Sequence, residues 1–346
     1  MAQEIYPDIK SFSDDIHLSI DDSIYLHHVE VSMAISDNGI IFVGWKNSAT
    51  HNGGGIRVSI VKSFDGGETW TSPYDMPMFE GRSTGQSDPW LFWYKDAIYY
   101  AYLEYENDAD GLSQITVAKS DDDGESWTLV NATNAHYFAD KETFVVGENN
   151  TIYVAYDDVD TSPTGNATVR VSRSLDGGYT YQDNSSLGED FYFVGPYITL
   201  NQTGDVFIAW SWLPESGGNL YFTKSQDGGQ KFDLPKLINH DGNYCVYETV
   251  GGYPSKATLP VLEFDQNKRL YVLWADKFDQ QGDTWDVYLR YSDDFGRTWS
   301  DRIRVNPSMS GNQWNPDVAI DESGRLHIVY YSEQGGRYRP YYRTLN

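Results

Sequence analysis

The sequence lacks disulfide pairs, long apolar runs and an excess of basic charge. Among 346 residues there is one cysteine, Cys245, so no disulfide can form within the chain and stability must come from packing. No apolar run approaches the roughly 20 residues of a membrane-spanning helix, so we expect no membrane span. The first residues, Met-Ala-Gln-Glu-Ile-Tyr-Pro, show no signal-peptide pattern.

Basic residues are few compared with acidic ones. The chain has 25 Lys and Arg against 51 Asp and Glu, which gives a formal net charge of −26. This acidic balance argues against nucleic-acid binding, which needs a basic face, and is typical of a highly soluble protein. Aromatic residues are abundant by contrast, at 15% of the chain with 27 Tyr and 11 Trp. Such residues suit both β-strands and sugar-stacking surfaces.

One short turn occurs five times along the chain. Its pattern is Ser-x-Asp-x-Gly-x-(Thr/Ser/Lys)-aromatic, and we call the copies the Asp turns. They begin at Ser63, Ser120, Ser174, Ser225 and Ser292. The Asp carboxylate can accept backbone N–H bonds within the turn, and the Gly can adopt a positive φ. Because each copy follows an alternating run, we predict a hairpin turn between two strands at each one.

A second repeat consists of six short strands that each end in an aromatic residue. The final aromatics are separated by 54 to 64 residues and are Trp45, Tyr102, Tyr156, Trp210, Trp274 and Tyr330. Each unit holds four alternating segments and no helical periodicity. The sequence therefore predicts an all-β chain that folds as a six-bladed β-propeller of four-stranded antiparallel blades. A stacked solenoid is the less favoured alternative, because its ends would need polar caps.

We predict that residues 1–346 form a single domain whose last blade is completed by the N-terminus. The predicted blades are 28–80, 84–135, 139–188, 193–240, 256–308 and 313–346. The sixth unit ends where its Asp turn would begin, so its fourth strand is missing. Residues 15–21 alternate apolar and polar side chains and offer that strand. Pairing them with the strand near 340–346 would close the ring and remove a free sheet edge.

The Asp turns and the six-fold repeat resemble the Asp-box (bacterial neuraminidase repeat) proteins, and in particular the sialidase-type six-bladed propeller. The resemblance covers nearly the whole chain. It implies that the Asp turns are structural and lie between the third and fourth strands of each blade. It also implies a pocket on the opposite face, which we call the mouth, where the innermost strands begin. Since fold does not determine function, the activity must be argued from the residues at the mouth.

Carboxylates are the candidate catalytic groups at the mouth. The inner strands are expected to start near Glu30, Asp88, Glu142, Tyr197, Pro260 and Asn315, with Asp140 just before one of them. Glu248 lies in the longest connection between blades, 240–256. A pair of such groups about 5–9 Å apart could act as acid and as base or nucleophile in glycoside hydrolysis. We therefore predict four catalytic candidates: Asp88, Glu142, Glu30 and Glu248. Each could instead cap a strand end or bind water in the channel.

Aromatic and basic residues near the same strand starts are the candidate substrate-binding groups. They are Arg82, Trp90, Lys141, Tyr197, Tyr247 and Trp314. The aromatic members could form a floor on which sugar rings stack, or could simply pack between blades.

The resemblance to sialidases implies further residues that the sequence does not supply. Sialidases hold the substrate carboxylate with three arginines, the first in a Phe/Tyr-Arg-Ile-Pro motif, and use a Tyr nucleophile assisted by Glu with an Asp acid/base. The corresponding segment is His28-Val29-Glu30-Val31-Ser32, and Arg-Ile-Pro occurs nowhere. Only Arg82 lies in a connection at the mouth. Because bidentate capture of a carboxylate needs arginine, the sequence argues against true sialidase activity.

Two other chemistries stay open from the sequence. A polysaccharide lyase needs a base and a charge neutraliser, and the pairs His136 with Lys141 or Tyr247 with Lys256 could serve. Ca²⁺ could bind the acidic loops, such as 106–111, although the full calcium-loop pattern ending in Glu is absent. We expect no required cofactor, and the sequence specifies no metal ligands.

These observations favour a sialidase-superfamily-like, carbohydrate-active propeller that processes glycans as a glycoside hydrolase without the sialidase arginine triad. The alternatives are a non-catalytic glycan- or protein-binding propeller and a polysaccharide lyase. We expect a carbohydrate ligand and a monomer. We also expect the protein to be extracellular or at the cell surface.

Overall fold

Strands account for nearly all of the regular structure. The computed structural model describes residues 16–19, 25, 27–50, 53–79, 84–106, 113–135, 137–162, 166–187, 193–212, 219–239, 259–277, 284–307, 310–334 and 336–345. Within these ranges no α-helix occurs, and Glu148–Asn150 forms a short 3₁₀ turn. No helix in them is long and apolar enough to span a membrane.

The first three sheets each contain four strands. The first has β1 (His27–Ile35), β2 (Ile41–Thr50), β3 (Gly53–Ser63) and β4 (Tyr74–Asp75). The second has β5 (Gly85–Tyr94), β6 (Ala97–Tyr105), β7 (Ser113–Ser120) and β8 (Thr128–Asn131). The third has β9 (Phe138–Val146), β10 (Ile152–Val159), β11 (Ala167–Ser174) and β12 (Gln182–Ser186).

The last three sheets follow the same plan. The fourth has β13 (Phe193–Leu200), β14 (Val206–Trp212), β15 (Asn219–Ser225) and β16 (Lys236–Leu237). The fifth has β17 (Val261–Phe264), β18 (Leu270–Asp276), β19 (Asp286–Ser292) and β20 (Ile303–Arg304). The sixth has β21 (Gln313–Ile320), β22 (Leu326–Gln334) and β23 (Arg337–Leu345).

Each sheet is a meander, because every strand pairs antiparallel with the next strand along the chain. The six sheets are the blades of a β-propeller, which confirms the predicted fold class. In the described part of the chain, five blades have four strands and the sixth has three.

The hydrophobic core lies between the blades. Phe42 and Val58 of the first blade pack against Leu91 and Tyr100 of the second. Similar buried clusters occupy the next four interfaces, from the second blade to the sixth. Each of the four middle sheets therefore contributes apolar residues from both of its faces, and this packing stabilises a chain whose single cysteine cannot form a disulfide within it.

The junction of the sixth and first blades, which we call the seam, is different. Met33 of β1 is 60% exposed, whereas Leu91 takes the same place in the second blade and is buried. On the sixth blade, Val329 is 46% exposed, whereas Leu273 takes the same place in the fifth blade and is fully buried. Apolar residues that face a neighbouring blade elsewhere thus face solvent on both sides of the seam.

The described part of the N-terminal segment lies against the first blade at this seam. Leu18 packs against a cluster of Val43, Trp45 and Val61. Val43 is the cross-strand partner of Met33, so Leu18 covers part of the face that the seam leaves open. Residues 16–19 belong to no strand. The predicted pairing of residues 15–21 with 340–346 therefore stays a prediction.

The Asp turns have the predicted geometry. In the first, Gly67 N donates to Ser63 Oγ at 2.8 Å, and Thr69 N donates to Asp65 Oδ1 at 2.9 Å. The pattern glycines of all five turns have φ between 75° and 96°. Each turn connects the third and fourth strands of its blade. All five turns therefore lie on one face of the propeller, and the starts of the inner strands lie on the opposite face.

Candidate functional site

Five of the six inner strands carry a β-bulge close to the mouth. In each bulge one residue is left-handed, and we call this place the bulge position. It is occupied by Glu30 (φ 57°), Asp88 (φ 52°), Lys141 (φ 53°), Gly195 (φ 64°) and Asn315 (φ 47°). A left-handed conformation costs a non-glycine residue about 1–3 kcal/mol, and such strain concentrates at functional sites. Three successive blades thus hold charged side chains in a strained backbone at the mouth.

These side chains form one connected group with two neighbours. Lys46 Nζ lies 2.5 Å from Glu30 Oε1, and the backbone N–H of Asp88 donates to Glu30 Oε2 at 3.0 Å. Lys141 Nζ lies 2.5 Å from Asp88 Oδ2 and 3.6 Å from Asp140 Oδ1. We call these five residues the mouth cluster. It contains three carboxyl groups and two ammonium groups from three blades.

The two central carboxyl groups have opposite pKa shifts. Partial burial, followed by the charge of Asp88, raises the pKa of Glu30 above its usual range. Burial also opposes ionisation of Asp88, but the charge of Lys141 and the hydrogen bond with Glu30 outweigh it and hold the pKa of Asp88 well below its usual range. Glu30 therefore binds a proton before Asp88 does. When the pKa values of two neighbouring carboxyl groups differ in this way, one group can act as the acid and the other as the base.

Glu142 directly follows Lys141 of the mouth cluster in the sequence, and its side chain is buried. Neither carboxyl oxygen has a hydrogen-bond partner within the described part of the chain. Burial, and then the charge of Asp88, raise its pKa well above the usual range. Burial thus favours the protonated, neutral form of Glu142, and its predicted catalytic role stays a prediction.

Aromatic residues meet across the centre of the ring. The rings of Trp90 and Tyr197 form an edge-to-face pair with centroids 5.8 Å apart, although they belong to the second and fourth blades. Burial and the charges of Asp317 and Glu263 raise the pKa of Tyr197. Burial and the charge of Asp317 also raise the pKa of Glu263 to about 7. These residues line the central channel, beside the mouth cluster.

The other predicted site residues are placed elsewhere or lie outside the described residues. Trp314 is buried and stacks on Tyr331 with centroids 5.8 Å apart, so it packs within the sixth blade. Arg82, Tyr247 and Glu248 lie outside the described residues, as do the proposed lyase residues His136 and Lys256. The predicted roles of these residues stay predictions.

Two of the predicted strand starts need a shift in register. The sequence placed the third and fourth starts near Glu142 and Tyr197, whereas the bulge positions are Lys141 and Gly195. The bulge position lies 15 residues before the repeated aromatic in the first, third, fourth and sixth blades, whereas the predicted starts Glu142 and Tyr197 lie 14 and 13 residues before it. The shift places the partly exposed ammonium group of Lys141, rather than the buried carboxyl group of Glu142, at the bulge position.

Sequence analysis also missed Lys46. Its signal was its place directly after the repeated aromatic, where most other units have an apolar, small or acidic residue such as Leu103, Asp157 or Ala275. In the structure Lys46 is buried, and its ammonium is held by Glu30. Within the described ranges no group of three or more His, Cys, Asp and Glu side chains is arranged to hold a metal ion, so Ca²⁺ binding stays a prediction.

Comparison with known proteins supports the fold. No family model and no curated protein sequence matches the chain. A protein of unknown function from Dyadobacter fermentans DSM 18053 is 17% identical, with a TM-score of 0.62 over 92% of this chain and 94% of its own. The chain shares a six-bladed propeller fold with sialidases and an arabinanase.

The Trypanosoma rangeli sialidase in complex with the inhibitor DANA is 12% identical, with a TM-score of 0.56 over 91% of this chain and 54% of its own. The chain thus spans about half the length of that sialidase. The Penicillium chrysogenum alpha-L-arabinanase complexed with arabinobiose is 14% identical, with a TM-score of 0.55 over 93% of this chain and 95% of its own. Identities this low establish the fold alone.

Proposed function

We propose that the protein is a carbohydrate-active propeller that hydrolyses glycosidic bonds at the mouth cluster. The observation that carries this proposal is the set of three carboxyl groups held together at strained inner-strand starts, two of them with opposite pKa shifts. The fold shared with sialidases and an arabinanase is consistent with it.

Glu30 and Asp140 are suited to the two roles that hydrolysis requires. Glu30 has a raised pKa and a side chain that is 36% exposed, so it can deliver a proton to the leaving oxygen. Asp140 is the second partly exposed carboxyl group and can act as the nucleophile that attacks the anomeric carbon, or as the base that takes a proton from an attacking water molecule. Asp88 lies between them and holds both Glu30 and Lys141 in position.

The separation of the acid and the base decides the stereochemical outcome of glycoside hydrolysis. Carboxyl groups about 5–5.5 Å apart are typical of retaining glycosidases, and larger gaps of about 6.5–9.5 Å are typical of inverting ones. Asp88 Oδ2 and Asp140 Oδ1 contact the same Lys141 ammonium at 2.5 and 3.6 Å, so these two carboxyl groups lie close together. The separation of Glu30 and Asp140, the proposed acid and base, is the one that distinguishes retention from inversion.

A non-catalytic glycan-binding propeller is the second candidate. Each ammonium of the mouth cluster already binds a carboxylate, which is also what a purely structural network would show. Trp90 and Tyr197 are partly exposed and offer ring surface for a sugar. A binding protein needs such groups but no acid and base.

A glycan screen with two readouts separates the candidates. Binding, release of reducing ends and formation of unsaturated uronates are measured on the same protein, with and without Ca²⁺. Glu30→Gln is expected to lower kcat by about 100-fold or more while retaining binding, because general acid catalysis contributes about 10²–10⁴-fold. Glu148→Gln, an exposed change in the third blade, should leave kcat unchanged.

Each outcome of the screen decides between the hypotheses. Turnover that depends on Glu30 supports the hydrolase. Binding without turnover supports the binding propeller, and unsaturated uronates would instead support a lyase. Turnover that Glu30→Gln leaves intact would refute the assignment of the acid.

A further inference from the structure

Each ammonium group of the mouth cluster is already paired with a carboxyl group of the protein. Lys46 is paired with Glu30, and Lys141 is paired with Asp88 and lies near Asp140. With both lysines charged, the cluster has a net charge of −1 when Glu30 is ionised and of zero when Glu30 carries the proton of the general acid. In neither state does the cluster have a net positive charge that would attract an anionic sugar.

Burial prevents the cluster from rearranging easily to accept an anion. The side chain of Lys46 is 5% exposed and that of Asp88 is 11% exposed. Breaking either pair would leave a buried charge without a partner, which is strongly unfavourable. The formal charge of −26 on the whole chain adds long-range repulsion against polyanions.

The mouth cluster is better suited to bind an uncharged sugar than an anionic one. Ionised carboxylates accept hydrogen bonds from hydroxyl groups, and an ammonium group donates to hydroxyl oxygens. The exposed parts of Glu30, Lys141 and Asp140 offer acceptor, donor and acceptor groups in turn around the cluster. Neighbouring hydroxyls of one sugar ring can use these groups without disturbing the ion pairs.

We propose, on the basis of the function proposed above, that the mouth cluster selects an uncharged glycan and rejects sialic acid and uronates. The compensated lysines are the selecting feature. A site that captures a sugar carboxylate does so with cations that are not already paired, such as arginines that form bidentate hydrogen bonds.

The first test compares neutral and anionic ligands on the full chain. Oligosaccharides of arabinan, galactan and mannan are set against sialyllactose and oligogalacturonate, at low and high salt. We expect at least one neutral ligand to bind at least tenfold more tightly than any anionic one, with little dependence on salt. Equal or tighter binding of an anionic ligand would overturn the inference.

The second test releases a cation. Asp88→Asn removes the direct partner of Lys141, so the affinity for oligogalacturonate should rise at least fivefold at low salt. This increase should disappear at high salt, because salt screens the attraction between the charges. Glu30→Gln releases Lys46 and serves in the same way if Asp88→Asn does not fold. The control is Asp293→Asn, which makes the same charge change at the exposed Arg269–Asp293 pair. If both cluster variants behave like this control, compensation is not what excludes anions.

The failure of this inference can be told from that of the proposed function. Turnover of an anionic glycan would support a hydrolase and overturn the neutral selectivity. Binding of neutral glycans without turnover would support the neutral selectivity and overturn the hydrolase. Neither binding nor turnover with any ligand of the panel would overturn both proposals.

Discussion

Glu142 is a residue whose cost to the fold depends on pH. Its side chain is buried without a hydrogen-bond partner in the described chain, and its pKa lies well above the ordinary 4.5. Above about pH 4.5 the unfolded chain ionises this group, whereas the folded chain keeps it protonated. The contribution of Glu142 to stability is therefore full at low pH and is lost as pH rises toward its folded pKa.

Replacing Glu142 with glutamine tests this account. Because Gln does not titrate, the difference in free energy of unfolding should shift in favour of Glu142→Gln between pH 4 and pH 8. The expected shift is about 1.4 kcal/mol for each unit by which the folded pKa is raised. Urea unfolding at both pH values measures it. Glu148→Gln, at an exposed site of the same blade, should follow the wild type, and a difference for Glu142→Gln that stays constant with pH would contradict the burial argument.

The mouth cluster shows which parts of a site a sequence reveals at the residue scale. Glu30 and Asp88 were found because they lie near inner-strand starts, which the six-fold repeat locates. Lys46 was missed because its partner, Glu30, is on another strand and only tertiary structure brings the two together. The burial of Glu142 was also beyond the sequence, since the β-bulge decides which of two neighbouring residues, Lys141 or Glu142, takes the left-handed position.

The Asp turn is an element whose carboxylate should stabilise the fold at neutral pH. Asp122 accepts hydrogen bonds from Ser126 Oγ at 2.6 Å and from Ser126 N at 2.9 Å. The Ser126 hydroxyl, and then that of Ser120, hold the pKa of Asp122 below its ordinary 3.8. This contribution is present above about pH 4 and is lost as pH falls through the folded pKa.

A pair of substitutions in the same turn isolates that contribution. Asp122→Asn should destabilise the protein at pH 7, and the deficit should shrink as pH falls below 3 because the wild type then loses the same charge. Asp121→Asn changes an adjacent exposed carboxylate that only pairs with Lys119 at 3.0 Å, so it should have little effect. Denaturant unfolding at pH 7 and pH 2.5 compares them. Equal losses in the two variants would show that the turn hydrogen bonds contribute nothing.

The turns and strands were the most predictable elements. The Asp turn is encoded locally, because its serine, aspartate and glycine satisfy one another within five residues. The strands follow from period-two alternation and the repeated aromatics. The bulges carry no such local signature, since Glu30, Asp88, Lys141 and Asn315 share no side-chain type. Their left-handed backbone is imposed by pairing with the second strand.

At the scale of the whole molecule, stability should depend on the N-terminal segment. Deleting residues 1–24 removes the contact of Leu18 with Val43 and Trp45 and any cover for the seam. Fully burying an apolar side chain contributes about 1.5–3 kcal/mol and Leu18 is half-buried, so the deletion should lower the free energy of unfolding by at least about 1 kcal/mol. Thermal and denaturant unfolding of the two chains measure this. A truncated chain that melts like the full chain would refute closure by this segment.

A single substitution refines the same prediction. Leu18 is half-buried, so Leu18→Ala should cost about 1–2 kcal/mol, below the 2–5 kcal/mol of fully buried sites. Ile16→Ala changes a side chain that is exposed and outside the Val43 cluster, so it is the matched control. Equal effects from the two would argue against a specific contact at Leu18.

The repeated bulge positions allow the side chains at the mouth to be substituted one at a time while the propeller fold is kept. Glu30, Asp88 and Lys141 use three of them, while Asn315 holds another without a charge. At Gly195 an added Cβ would lie 2.0 Å from Leu259 Cδ2, so that position is closed to other residues unless Leu259 moves. Asn315 is thus the uncharged bulge position at which substitution could introduce a new acid or base without a change of loop. The replacement must tolerate a left-handed backbone.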